Sequence, residues 1–204
     1  MKYIDFYQHF KDYPIIQLAD VKNIESDFDH RRLYEWQKKG YLKRVTNNFY
    51  IFADKKLSDF EMNFVANKLY QPSYLSLEYA LGFYSLIPEI VFLHTCITTK
   101  KTKQITSSIG NFSYRSIKKE LFFGYKLVQK DNMFLKIADP EKALLDFLYL
   151  RSDIKNKNDV YELRINKDVF KEIINHEKIN NYLKKFNSKQ LIKKIKIVNN
   201  YVKS

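Results

Sequence analysis

Residues 27–52, DFDHRRLYEWQKKGYLKRVTNNFYIF, constrain the fold more than any other stretch, because a helix pattern, a glycine and two short strand patterns follow one another. Asp27 and Asp29 are candidate N-caps of the helix. Gly40 is a candidate for the C′ position, where a left-handed residue ends a helix. Helical periodicity places three side chains on the core side: Leu33, Trp36 and Gln37.

The glycine is followed by a predicted hairpin, with strands over 41–45 and 49–52 and a turn at 46–48. Asn tolerates left-handed backbone, so Asn47 and Asn48 can form a tight turn without glycine. A basic helix followed by a hairpin is the outline of a winged helix-turn-helix, a DNA-binding fold. The alternative is an ordinary helix–hairpin surface with solvated charges.

Two shorter helices are predicted before this stretch, one over 4–11 and one over 15–21 that Pro14 opens. Three helices and a hairpin within 55 residues agree in size and order with a winged helix-turn-helix. We therefore predict a DNA-binding domain over 1–55 and a second domain over 56–204.

The second domain is predicted to be α+β. Ser58 and Glu61 form a capping box that starts a helix to about Tyr70, and Ser76 is a candidate cap for the next helix. Strand patterns then predict a small, mainly antiparallel sheet of about four strands, at 91–98, 111–117, 125–129 and 133–137. Lys100 to Lys103 is interpreted as a basic turn.

A buried helix is predicted to follow this sheet. Asp139 is its cap, Pro140 its first residue, and the segment to Leu150 is apolar nearly all round. Residues 151–159 are interpreted as a loop, and three amphipathic helices complete a C-terminal helical bundle.

The net charge of +13 is concentrated toward the end of the chain. Residues 1–55 carry 10 Lys/Arg against 8 Asp/Glu, whereas residues 151–204 carry 14 against 6, and no acid follows Glu177. This gradient indicates a polyanionic partner, and a lysine-rich solvated surface is the alternative. With Cys96 as the only cysteine, no membrane-length apolar run and no signal-peptide pattern at the N-terminus, we expect a cytoplasmic protein with no membrane partner.

Patterns of enzyme chemistry are missing from the sequence. Its four histidines are scattered and its four glycines form no phosphate-binding loop, so we expect no catalytic residue, no metal site and no cofactor. Glu141 and Lys142 could be read as a catalytic pair, but the first turn of a helix favours an interpretation as capping and surface charge.

The DNA-binding candidates lie on the helix and the hairpin of the opening stretch. They are His30, Arg31, Arg32, Tyr34 and Lys38 on the helix, and Lys43, Arg44 and Asn47 on the hairpin. Arg is the usual bidentate reader of guanine, while hairpin cations typically hold phosphates. Secondary phosphate contacts are assigned to seven lysines: Lys100, Lys101, Lys103, Lys189, Lys193, Lys194 and Lys196.

Three stretches resemble one known family. SYLSLEYALGFYSLIPE at 73–89, TTKKTK at 98–103 and ADPEKALLDFLYL at 138–150 are similar to the AbiEi antitoxins of type IV toxin–antitoxin systems. The resemblance covers nearly the whole chain. At the hairpin, Asn47-Asn48 stands where family members often carry a basic residue and glycine.

The resemblance implies a repressor of its own operon that binds double-stranded operator DNA and counteracts a neighbouring nucleotidyltransferase toxin. The weakly charged N-terminal domain is expected to gain affinity from the basic second domain, or from pairing of two copies or cooperative binding on DNA. The alternative function is an RNA- or protein-docking module, whose lysine-rich C-terminal helices contact tRNA or the toxin directly.

Overall fold

The computed structural model describes residues 1–89 and 92–203, and within them the chain is a mixed α/β protein with ten α-helices. The N-terminal segment, residues 1–55, contains three helices and a three-stranded antiparallel sheet of order β1-β3-β2. Its elements are α1 (Tyr3–Phe10), β1 (Ile16–Gln17), α2 (Leu18–Ile24), α3 (Arg31–Lys38), β2 (Leu42–Thr46) and β3 (Phe49–Phe52).

The C-terminal segment, residues 56–203, is built on a six-stranded mixed sheet. Its first part contains α4 (Asp59–Leu69), β4 (Ser73–Leu75), α5 (Leu77–Phe83), β5 (His94–Thr98), β6 (Lys103–Ser107), β7 (Gly110–Ser116), a 3-10 turn (Lys119–Leu121), β8 (Tyr125–Lys130) and β9 (Met133–Ala138). The helices that follow are α6 (Pro140–Leu150), α7 (Lys157–Glu162), α8 (Lys167–Ile173), α9 (His176–Phe186) and α10 (Lys189–Lys203).

The sheet has the order β6-β7-β5-β4-β9-β8, with parallel pairs β5–β7 and β4–β9 and three antiparallel pairs. The predicted sheet of about four strands was therefore wrong in strand number, and the sheet is mixed, with three of its five pairs antiparallel. The sequence patterns missed β4, which has three residues, and β6, a polar edge strand that had been read in part as a basic turn. The predicted start of β5 at Val91 lies outside the described residues.

The helix predicted over 15–21 was wrong in its first half. Ile15 packs into the core of the C-terminal segment, whereas Ile16 packs into the core of the N-terminal segment. Consecutive side chains point to opposite faces of a strand, so extended backbone satisfies both contacts. Ile16 pairs with Tyr50, and the helix begins only at Leu18. The loop predicted over 151–159 was also wrong in part, because α7 begins at Lys157 behind the cap Asn156.

Two buried clusters organise the chain. The smaller one joins α1, α3 and the hairpin around Phe6, Phe10 and Trp36. The larger one fills the C-terminal segment and also includes Ile15, Val45 and Ile51 from the N-terminal segment. Strand β2 lies against β6, so the hairpin is packed on the C-terminal segment. None of the helices in the described part of the chain combines the length and apolar character of a membrane span.

Candidate nucleic-acid interface

Helix α3 has the buried and exposed faces that its sequence pattern predicts. Leu33 and Trp36 are buried, and the Gln37 side chain donates from Nε2 to the Leu33 carbonyl oxygen at 2.9 Å. Gly40 occupies the predicted C′ position after the C-cap Lys39, and its φ of +74° lies in the left-handed region. The Gly40 amide donates to the Gln37 carbonyl at 3.0 Å and the Tyr41 amide to the Trp36 carbonyl at 2.9 Å, a Schellman motif.

The N-cap of α3 is His30, so the prediction of Asp27 or Asp29 at that position was wrong. The Asp29 carboxylate accepts the Arg31 backbone amide at 3.0 Å, whereas Asp27 makes no bond to the helix and accepts from the Ser26 hydroxyl. Asp29 also accepts the Arg31 Nε at 3.0 Å. Hydrogen bonds from the Arg31 side chain hold the pKa of Asp29 below its usual range. The charge of Arg31 is thus already partly balanced at the N-terminus of α3.

The outer face of α3 presents cationic and aromatic groups together. Tyr34 is 59% exposed, and the Lys38 ammonium lies 4.7 Å from the centre of its ring. Arg31 and His30 are also exposed. In contrast, Arg32 donates from Nη1 to the Met1 carbonyl oxygen at 2.6 Å, so its guanidinium ties the helix to the N-terminus. All five predicted residues of α3 are therefore exposed, and among them the Arg32 side chain is the one bound to a backbone carbonyl oxygen.

The hairpin has the predicted strands with a different turn. Asn48 is left-handed at φ +64°, but Asn47 is not, and the strand register shifts between Arg44 and Thr46. The turn therefore has a single left-handed residue and a β-bulge beside it, where two left-handed residues were predicted. Arg44 donates to the Asn47 carboxamide oxygen, which places both side chains at the exposed tip. The Lys43 ammonium instead binds the Ala53 carbonyl oxygen at 2.8 Å.

The lysines assigned as secondary phosphate contacts are divided between two regions. Lys100 and Lys103 lie 5.5 and 5.0 Å from the centre of the Tyr70 ring, and the Tyr70 hydroxyl donates to the Lys101 carbonyl at 3.1 Å. Because Lys103 begins β6, which contacts β2, this group belongs to the strand that lies beside the hairpin.

The lysines of α10 differ from one another in accessibility. Lys189, Lys193 and Lys196 are exposed. The Lys194 ammonium donates to the carbonyl oxygens of Leu148, at 2.8 Å, and of Arg151. It thereby satisfies carbonyl groups at the C-terminal end of α6 and is engaged within the fold.

The C-terminal segment contains a buried polar cluster that the sequence patterns did not predict. The Lys142 ammonium pairs with the Asp146 carboxylate and donates to the Tyr74 hydroxyl at 2.8 Å. The Tyr74 and Ser76 hydroxyls each donate to Asp146 at 2.9 Å. Ser76 is the N-cap residue of α5, as predicted, but its hydroxyl makes no capping hydrogen bond to the helix. Burial lowers the pKa of Lys142 and raises that of Asp146.

The first turn of α6 is capped as predicted but is not a charged surface. Asp139 accepts the Lys142 amide at 2.9 Å, and Pro140 is the first helical residue. Glu141 is 2% exposed and Lys142 0%, so their interpretation as surface charge was wrong. Glu141 accepts the Asn175 amide at 2.8 Å and pairs with Lys178 at 3.1 Å. The sequence does contain one signal for this buried pair, because Lys142 and Asp146 have i,i+4 spacing in a helix that is otherwise apolar.

Comparison with protein-family models and with curated proteins found no match for this chain. Within residues 1–89 and 92–203, no three His, Cys, Asp or Glu side chains are grouped so that they could hold a metal ion. The argument for function therefore depends on the placement of the charged and aromatic groups described above.

Proposed function

We propose that this chain is an AbiEi-like antitoxin, in which residues 1–55 act as a winged helix-turn-helix that binds operator DNA and represses the chain's own operon. The observation that carries this proposal is the outer face of α3, where Arg31, Tyr34 and Lys38 are exposed opposite a buried Leu33 and Trp36. A helix of this kind, with a basic hairpin beside it, fits the major groove and an adjacent phosphate strand.

The residues of this face have separate roles in the proposed complex. Arg31, at the start of α3, reaches base edges and reads guanine through two hydrogen bonds. Lys38, held against Tyr34, contacts a phosphate. Arg44 and Asn47 at the hairpin tip contact the backbone of the flanking groove. Arg32 holds the N-terminus against α3 and thereby fixes the orientation of the helix.

Affinity in this proposal depends on charges outside the N-terminal segment, whose net charge is only +2. Strand β6 lies against β2, so Lys100, Lys101 and Lys103 are the group that extends the phosphate track from the hairpin. Two copies on one operator, either as a dimer or by cooperative binding, provide further phosphate contacts.

The DNA-binding proposal is tested with full-length variants and the DNA upstream of the chain's own gene. Arg31→Ala with Lys38→Ala should weaken binding at least tenfold in fluorescence anisotropy at fixed salt. Lys118→Ala with Lys119→Ala is the matched control, because it removes the same charge from two exposed lysines of the other segment. Equal loss in both variants would show that only overall charge matters, and no loss in either would refute the proposed recognition face.

The salt dependence of binding provides an independent count of phosphate contacts. If six phosphates are neutralised, log K should fall with log salt with a slope of about −5. Removing Lys38 should reduce the size of this slope by about 1, because one phosphate contact is lost.

We also propose that the C-terminal segment counteracts a nucleotidyltransferase toxin encoded beside it, and the sequence resemblance to AbiEi antitoxins supports this role. Co-expression with the nucleotidyltransferase from the neighbouring gene should restore growth. The Arg31→Ala, Lys38→Ala variant should restore growth equally well, because those residues belong to the DNA-binding face. Loss of rescue in that variant would contradict the division of roles.

The RNA- or protein-docking function remains a second candidate because Lys189, Lys193 and Lys196 are exposed on α10 and no acid follows Glu177. Under this function, replacing the three lysines by Ala abolishes nucleic-acid or toxin binding, whereas changes on α3 have no effect. Point substitutions distinguish the two functions better than truncation at residue 55, since removing the N-terminal segment would uncover the pocket that Ile15, Val45 and Ile51 fill.

A further inference from the structure

A crevice of about 330 Å³ opens between one face of the six-stranded sheet and the ends of α5 and α6. Strands β5, β7 and β6 contribute polar side chains to its wall: Thr95, Ser113, Arg115 and Gln104. The two helices contribute mainly apolar side chains, namely Leu77, Phe147 and Leu150. This volume and this mixture are typical of sites for small molecules, which combine an apolar wall with a few polar groups.

The polar groups of the crevice form one row across three neighbouring strands. Ser113 is opposite Thr95 on β5 and opposite Gln104 on β6, and Arg115 is the next residue of β7 on the same face. The Thr95 hydroxyl is occupied, because it donates to the Ser76 carbonyl at 2.7 Å and accepts the Tyr79 amide at 3.1 Å.

Ser113 differs from Thr95 in having a free hydroxyl. The residue is only 7% exposed, it lines the crevice, and its side chain makes no hydrogen bond to another described residue. Because Ser113 lines the crevice, a molecule bound there is in position to hydrogen-bond to its hydroxyl.

Arg115 is the second group without a partner. Its guanidinium is exposed and forms no ion pair with any described acid. The other charged groups of the crevice are balanced, since Arg151 binds Asp153 at 2.6 Å and approaches Glu78 at 3.8 Å. The one carboxylate in the wall therefore has a cation beside it, and Arg115 is the cation of the wall that pairs with no described acid.

We propose that this crevice binds a small organic anion. The carboxylate or phosphate of the ligand accepts hydrogen bonds from Arg115, which offers a planar set of donors suited to either group. Ser113 and Gln104 bind polar atoms next to the anionic group, and the apolar body lies against Leu77 and Leu150. This site is separate from the outer face of α3, so its test does not depend on the DNA-binding proposal.

The proposal is tested by titrating the full chain with benzoate, phenyl phosphate and the neutral benzyl alcohol while recording backbone amide NMR spectra. One or both anions should shift the amide signals of residues 113–115 in a saturable manner, and the tighter of the two identifies the preferred anionic group. Benzyl alcohol should bind at least tenfold more weakly, because it leaves Arg115 without a partner.

Variants separate a built site from general attraction to a basic protein. Arg115→Ala should weaken binding of the preferred anion at least tenfold, Arg115→Lys should lose less, and Ser113→Ala should weaken it about threefold. Lys22→Ala, which removes an exposed positive charge of the N-terminal segment, should leave binding unchanged. The proposal is overturned if neither anion shifts residues 113–115, if benzyl alcohol binds as well as the anions, or if Lys22→Ala and Arg115→Ala have equal effects.

Discussion

The Lys142 ammonium and the Asp146 carboxylate form an ion pair, one helical turn apart on α6, whose two side chains are both inaccessible to solvent. The pair is completed by hydroxyl groups from β4 and from the residue after it, Tyr74 and Ser76. Removing two charges from water is costly, and their attraction repays that cost only when the remaining hydrogen-bonding positions are filled. The arrangement therefore joins α6 to the sheet at one specific position.

Removing one partner of this pair should be among the most damaging changes to the fold. Asp146→Ala leaves the Lys142 charge buried without a partner, and we expect it to lower the free energy of unfolding by about 3–5 kcal/mol. Lys142→Met combined with Asp146→Leu should cost less than Asp146→Ala alone, because no buried charge remains. Urea denaturation followed by circular dichroism measures both effects.

The control for this measurement is Asp153→Ala, which removes a solvent-exposed carboxylate that also pairs with a cation. Its denaturation midpoint should remain close to that of the parent chain. If Asp146→Ala proved as mild as Asp153→Ala, the buried pair would not contribute to holding α6 on the sheet.

Local patterns were sufficient to predict α3, the stop at Gly40, the hairpin strands and the start of α6. In each case, the signal lies within one element and its cap. The strands β1, β4 and β6 could not be predicted, because they are defined by pairing with neighbouring strands and not by a local sequence pattern. Ile15 and Ile16 illustrate the cause, since only contacts with two different cores distinguish their strand from the start of a helix.

The sequence alone predicts which residues of the candidate interface are positively charged. It does not predict which of these side chains are free to contact a ligand. The sequence identifies Arg31, Arg32, Lys43 and Lys194 equally as cations. In the structure, three of these side chains donate hydrogen bonds to backbone carbonyl oxygens: Arg32 to Met1, Lys43 to Ala53, and Lys194 to Leu148 at the end of α6. These partners are between 10 and 46 residues away in the chain, so no local pattern could indicate them.

The pairing of Asp29 with Arg31 leads to a prediction in which a substitution improves binding. Asp29→Asn keeps an oxygen that can accept the Arg31 amide but removes the charge that binds the Arg31 side chain. With the guanidinium released and one repulsive charge lost, DNA affinity should rise about fivefold at low salt. The control is Asp27→Asn, which removes an exposed acid that pairs with no arginine, and it should raise affinity less. Equal gains would contradict a specific role for Asp29.

Lys193 and Lys194 provide a matched pair for separating structural from surface lysines. Lys194→Ala removes two hydrogen bonds from an ammonium to the carbonyls at the end of α6, and we expect a loss of about 1–2 kcal/mol in the free energy of unfolding. Lys193→Ala removes an exposed side chain and should change stability by less than about 0.5 kcal/mol. Thermal denaturation of the two variants provides the comparison, and a reversed order would contradict the assignment of Lys194 as a helix cap.

His94 gives the fold a dependence on pH. Its half-buried ring lies 4.7 Å from the Tyr79 ring and 5.4 Å from the Phe112 ring, with Nδ1 3.2 Å from the Asn63 carboxamide oxygen. Burial lowers the pKa of His94, although Asp59 opposes this shift. In the unfolded chain the pKa is about 6.5, so on acidification the unfolded state binds a proton before the folded state does.

The free energy of unfolding should therefore fall as the pH drops below about 6.5, by up to about 1.4 kcal/mol per pH unit, until the lower pKa of the folded state is reached. His94→Gln removes this titration and should flatten the profile measured by urea denaturation between about pH 5 and 7. His30→Gln, which changes an exposed histidine, should leave the profile as steep as that of the parent chain. Parallel profiles for the parent chain and His94→Gln would mean that another group carries the pH dependence.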